Sequence, residues 1–90
     1  MGSWAVVAQY AYGDAYQTDF VRRGLESKEQ ALDELRSLVA TYLPTANIME
    51  KWRRVYRYDD QVSYLVEIKG KITTWQCTLR IVERVEVTEL

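Results

Sequence analysis

The chain has 90 residues, 48% of them hydrophobic and 28% charged, with a formal net charge of −1. That is globular rather than disordered composition, and it gives no overall pull toward nucleic acid or an anionic membrane, so any such role must rest on a local patch. There is no histidine and one cysteine, Cys77, which excludes Ser-His-Asp and Cys-His catalysis, a CxxC redox or metal pair, and an internal disulfide.

Small secreted domains are usually stapled by disulfides, so this cysteine usage points to a cytoplasmic setting. The opening "MGSWAVVAQYAYGD" lacks a basic n-region, and Gln9, Tyr10 and Tyr12 interrupt its apolar run. It reads as a strand rather than a signal peptide. No stretch approaches ~18 consecutive apolar residues, so no membrane span is expected.

The first strand is expected over residues 4–12, "WAVVAQYAY", ending at the turn signal Gly13-Asp14. A second strand is expected over 18–26, with Gly24 marking a bulge or bend. The two form a hairpin through residues 13–17. A helix follows over about 28–43. Ser27 and Gln30 have capping-box spacing, and Glu29 in the first turn suits the helix dipole. Ala31, Leu32, Leu35, Leu38, Val39 and Tyr42 recur at helical spacing and predict one buried stripe. Pro44 disfavours helical geometry at Leu43 and ends the element.

Three strands are expected after the connector: about 50–58, 62–69 and 72–87. Gly70-Lys71 suits a type II′ hairpin, which pairs Val66 with Trp75, Tyr64 with Cys77 and Val62 with Leu79. The fold class is therefore α+β: one antiparallel sheet of about five strands, ordered ββαβββ along one domain, with an amphipathic helix on one face. The second face of such a sheet stays open.

The stretch "KWRRVYRYDD" has two faces, Trp52, Arg54, Tyr56 and Tyr58 on one and Lys51, Arg53, Val55 and Arg57 on the other. A two-residue loop at Asp59-Asp60 turns Arg53, Val55 and Arg57 toward the helix, which costs several kcal/mol unless the guanidinium groups are paired. A three-residue loop puts the aromatics there instead, with Lys51, Arg53 and Arg57 in solvent. Asp-Asp lacks the Gly that a type I′ turn wants. The sequence thus favours the three-residue or a longer loop and largely buried aromatics. The two-residue alternative leaves an exposed aromatic-basic row.

Catalytic, metal and cofactor sites are not expected. The carboxylate pairs Asp59-Asp60, Asp33-Glu34 and Glu26/Glu29 read as solvated turn and helix positions, and Cys77 as a small buried hydrophobe. Tyr and Trp outnumber the single Phe ten to one, and such residues favour interfaces. The reading is a non-enzymatic module that binds a protein partner or a second copy through its open sheet face or an edge strand. Trp52, Arg53, Arg54, Tyr56, Arg57 and Arg80 are its candidate partner-binding residues. The alternative is a nucleic-acid-binding module on strand 51–58, where Arg53, Arg54 and Arg57 meet Arg22-Arg23 and Lys69/Lys71. Cross-strand pairing of these arginines with Glu67, Glu83 or Glu86 is the plainer explanation.

Overall fold

The computed structural model describes residues 2–89. Its elements are β1 (Trp4–Tyr12), β2 (Ala15–Leu25), α1 (Lys28–Leu38), β3 (Trp52–Arg57), β4 (Tyr64–Lys69) and β5 (Thr74–Glu83). All five strands form one antiparallel sheet in the order β2-β1-β5-β4-β3. The α+β reading holds. The sequence leaves the strand order open; in the fold, β1 pairs with β5 and closes the sheet's middle, leaving β2 and β3 as the edges.

The first hairpin is tighter than expected. Tyr12 pairs with Ala15, so β2 starts at residue 15 and the loop is Gly13-Asp14 alone. Gly13 has φ +61° and Asp14 is not in the positive region, the pattern of a type II′ turn. At the other end, Gly24 takes φ +69° and the β1–β2 register shifts twice between Trp4 and Val7. The bend expected at Gly24 is there, and the irregularity adds Val21 to the side facing the core.

Ser27 caps α1: its hydroxyl accepts from the Gln30 N–H at 3.1 Å. The Gln30 side-chain oxygen accepts from Glu26 N–H, one residue before the cap, at 2.8 Å. One free amide donor of the first turn, Gln30 N–H, is thereby satisfied, and the reciprocal bond falls one residue before the position a capping box uses. The helix ends five residues earlier than expected, at Leu38. Thr41 and Tyr42 N–H both turn back to the Leu38 carbonyl, at 3.1 and 2.8 Å. Beyond the helix end, the carbonyls of Val39 and Tyr42 accept from Arg53, at 2.9 and 2.8 Å.

The helix lies over β1, β5 and β2. Ala31, Leu35, Leu38 and Tyr42 meet Val6 and Ala8 of β1, Val66 and Ile68 of β4, and Cys77 and Leu79 of β5. Tyr42 stays in the expected stripe beyond the helix end, its hydroxyl donating to Asp19 Oδ2 at 3.0 Å. Burial, then the Asp19 bond, pushes its pKa well above the usual tyrosine range. Cys77 is buried as expected, and burial pushes its thiol up to about 11.

The β4–β5 turn corrects the expected register. Gly70 does not adopt the positive φ of a type II′ first position. The loop spans residues 70–73, closed by Gly70 N–H to Thr73 C=O at 2.8 Å. Val66 therefore faces Cys77, Tyr64 faces Leu79 and Ile68 faces Trp75. The slip is two residues, so every side chain keeps its expected face. β5 is also shorter than expected. Residues 84–89 belong to no strand.

Candidate interaction surface

The loop after β3 decides which side chains the open face carries. Tyr58 N–H donates to Ser63 C=O at 2.8 Å, which leaves residues 59–62 as a four-residue loop. Gln61 supplies the left-handed position at φ 68°. Asp60 holds the turn: its Oδ1 accepts from Val62 and Ser63 N–H at 2.9 Å each, and its Oδ2 from the Ser63 hydroxyl at 2.7 Å. Those bonds hold the Asp60 carboxyl below its usual range.

An even-numbered loop has the facing of the two-residue alternative, not of the favoured three-residue loop. Val55 pairs with Val66, Arg53 with Ile68 and Arg57 with Tyr64. Arg53, Val55 and Arg57 thus point to the helix side. Trp52, Arg54, Tyr56 and Tyr58 point to the open side. The expectation that the aromatics are mostly core, with Arg53 in solvent, is overturned.

Arg53 is tolerated there because all its charge-bearing nitrogens are engaged. Its side chain is only 9% exposed. Nε and one terminal nitrogen grip both oxygens of Glu50, at 3.0 and 2.9 Å. The terminal nitrogens also donate to the Val39 and Tyr42 carbonyls. This bidentate pair holds the Glu50 carboxyl below its usual range. Of the expected binding residues, Arg53 is therefore a latch between β3 and the end of α1. Arg57 lies exposed on the helix side, away from the others.

Trp52, Arg54 and Tyr56 come together on the open face; Arg80 shares that face but stands two strands away on β5, near the Asp60 end. Trp52 is 37% exposed and Tyr56 50%. The Arg54 guanidinium lies 4.1 Å above the Trp52 ring and 3.6 Å from the Glu67 carboxylate, the cross-strand partner expected for it. Arg80 stands on β5 opposite Val7, whose other neighbour is Phe20.

The opposite edge repeats the arrangement. The Arg23 guanidinium sits 4.2 Å over the half-exposed Phe20 ring. Sequence reasoning groups Arg22 with Arg23, but strand alternation separates them: Arg22 turns to the helix side, 3.6 Å from Glu34. The Phe20–Arg23 pair was missed as a site feature; its signal was the i, i+3 spacing across the Val21 bulge. Between the two edges runs a shallow trough of about 620 Å³, bounded by Tyr16 and Tyr58 with Leu65 and Thr78 in its lining. The Tyr58 and Thr78 hydroxyls lie 3.3 Å apart across it.

By strand alternation the face carries Arg23, Arg54, Lys69 and Arg80 against one carboxylate, Glu67. A chain of net charge −1 thus presents a locally basic, aromatic surface. Among the described residues no cluster of His, Cys, Asp or Glu is suited to a metal ion, and no helix is long and apolar enough to cross a membrane. Compared with known proteins, the chain matches no family model, no curated protein and no solved structure, so the reading of its function rests on this surface.

Proposed function

We propose that the protein is a non-catalytic interaction module that binds a protein partner through the open face of its sheet. The observation that carries this is the row Trp52–Arg54–Tyr56, exposed on the face that α1 leaves uncovered, with Arg80 on the same face two strands away. Trp, Tyr and Arg are the residue types on which binding energy concentrates in protein interfaces. Here the Arg54 stem and guanidinium are held in place by the Trp52 ring and Glu67, so less side-chain freedom is lost on binding.

Affinity capture of the full chain from its native host, followed by mass spectrometry, tests the reading. A partner is expected that the wild type retains and that Trp52→Ser combined with Tyr56→Ser loses by roughly 30-fold or more in affinity. A chain that captures no protein, or a partner indifferent to both substitutions, refutes it.

The basic excess on the face favours a second reading, single-stranded nucleic acid. Against it, guanidinium groups already occupy the Trp52 and Phe20 rings on which bases would stack. A salt titration with single-stranded and duplex oligonucleotides separates the two. Binding that falls steeply with salt supports nucleic acid, and no binding at ~50 mM salt ends that reading.

A further inference from the structure

A sheet edge offers a row of unpaired backbone donors and acceptors to any extended chain of the right length and charge. The two edges differ here. The Phe20–Leu25 end of β2 is broken by two register shifts and by the positive φ of Gly24, and its regular stretch, residues 15–20, carries a single charge, the acidic Asp19. β3 runs unbroken from Trp52 to Arg57 in continuous register with β4. Its charges are all basic: Arg53, Arg54 and Arg57, with Lys51 just before it.

The chain also carries a segment with the opposite properties. After Glu83 the backbone leaves the sheet. Arg84 N–H still donates to Ser3 C=O at 2.7 Å, and residues 85–89 lie in no strand. The sequence "RVEVTE" at 84–89 alternates β-branched and charged residues as a strand would. Val85 is 87% exposed and Val87 61%. Six extended residues reach ~20 Å, the length of the six-residue β3.

We propose that residues 84–89 of a second copy of the chain add as an antiparallel strand to the free edge of β3. The valines and the charges together choose the register: a three-residue slide also makes two opposite-charge pairs, Glu86–Arg57 and Glu89–Arg54, but sets Val85 against Tyr58 instead of Val55. Val85 opposite the half-exposed Val55 places Glu86 opposite Arg54, Glu89 opposite Lys51 and Arg84 opposite the Tyr56 ring. Sliding by two residues leaves at most one opposite-charge pair, Arg53–Glu89, and Arg53 is largely buried and gripped through two nitrogens by Glu50, whereas Arg54 is exposed and only 3.6 Å from one oxygen of Glu67. A parallel arrangement with the same valine pair sets Arg84 against Arg54. Self-association of this kind uses the backbone edge of β3, while its Glu86–Arg54 and Arg84–Tyr56 contacts share side chains with the open-face row, so a partner seated there would compete with it.

Sedimentation velocity of the full chain at rising concentration and low salt tests the proposal. Wild-type mass is expected to rise above the monomer. Glu86→Lys is expected to weaken association roughly tenfold, because it removes one opposite-charge pair and adds a repulsive one. Arg54→Glu should do the same alone, and the two together should recover most of the loss. Glu86 lies outside the sheet, so the fold is not at risk; circular dichroism checks it. In addition, the peptide ERVEVTE added to the isotope-labelled chain should shift the β3 amides. A monomer at every concentration overturns the proposal. So does association unmoved by Glu86→Lys, a charge exchange without recovery, or peptide shifts confined to other strands. Loss of association by Phe20→Ser but not by Glu86→Lys would place the contact on the open face and overturn it as well.

Discussion

Arg53→Met tests the least expected feature of the fold, a guanidinium placed on the helix side of the sheet. The substitution keeps the length of the aliphatic stem and removes the charge. It deletes two bonds to Glu50 and one each to the Val39 and Tyr42 carbonyls. Breaking a fully buried pair costs ~3–5 kcal/mol. The Glu50 side chain is a third exposed, so water recovers part of its loss. The two carbonyls at the helix end lose a charged donor, each worth ~1.5 kcal/mol or more. Together these give a destabilisation of about 2–4 kcal/mol. Urea unfolding followed by circular dichroism measures it; at a slope of ~1–1.5 kcal/mol/M the midpoint falls by about 2 M. Arg57→Met is the control, on the same face but exposed, and should cost no more than ~0.5 kcal/mol. Adding Glu50→Gln to Arg53→Met should cost little more, since the partner is already lost. If Arg53→Met and Arg57→Met prove equal, the latch between β3 and α1 does not exist and the facing of β3 is wrong.

Leu35 is fully buried between helix and sheet, and Leu35→Ala should cost ~2–5 kcal/mol in the same unfolding assay. Cys77, with its thiol raised to about 11 and no exposure, should react with a thiol reagent at neutral pH only as the chain unfolds; fast labelling of the native protein would contradict its burial. Gly24→Ala should destabilise by ~1 kcal/mol although nothing lies near the added methyl, because the φ of +69° and not space is limiting. Acid should weaken the fold through Glu50 and Asp60. Both carboxyls are held below their unfolded values, so their contribution is complete above the ordinary carboxylate range and is lost as pH falls through the depressed values. In Arg53→Met that acid loss should be shallower, because Glu50 no longer differs between the folded and unfolded chain.

Elements that announce themselves locally were legible in the sequence. Ser27 and the stripe from Ala31 to Tyr42 place the helix, and apolar alternation assigns faces to β4 and β5 despite a loop two residues longer than expected. The candidate site turned on one local fact that residue types alone do not reveal. The facing of β3 depends on loop parity, and Asp60 builds a four-residue turn that Asp-Asp chemistry alone does not advertise. The cost argument against a helix-facing Arg53 was sound but incomplete. It lacked Glu50 and the two carbonyls at the helix end, which lie 11 and 14 residues away in sequence. Helix length failed because the apolar stripe runs on to Tyr42 while the backbone past Leu38 tightens, Thr41 and Tyr42 N–H both returning to the Leu38 carbonyl.

The exposed aromatic row exists only if the loop after Tyr58 holds an even number of residues, as the four at 59–62 do. Nuclear Overhauser contacts along strand 52–57 test that directly. Arg53 side-chain protons should contact Val39 and Tyr42, with Val55 and Val66 facing one another and Trp52 and Tyr56 free of helix contacts. Contacts from Trp52 or Tyr56 to Leu35 or Leu38 would place the aromatics in the core and remove the interaction surface.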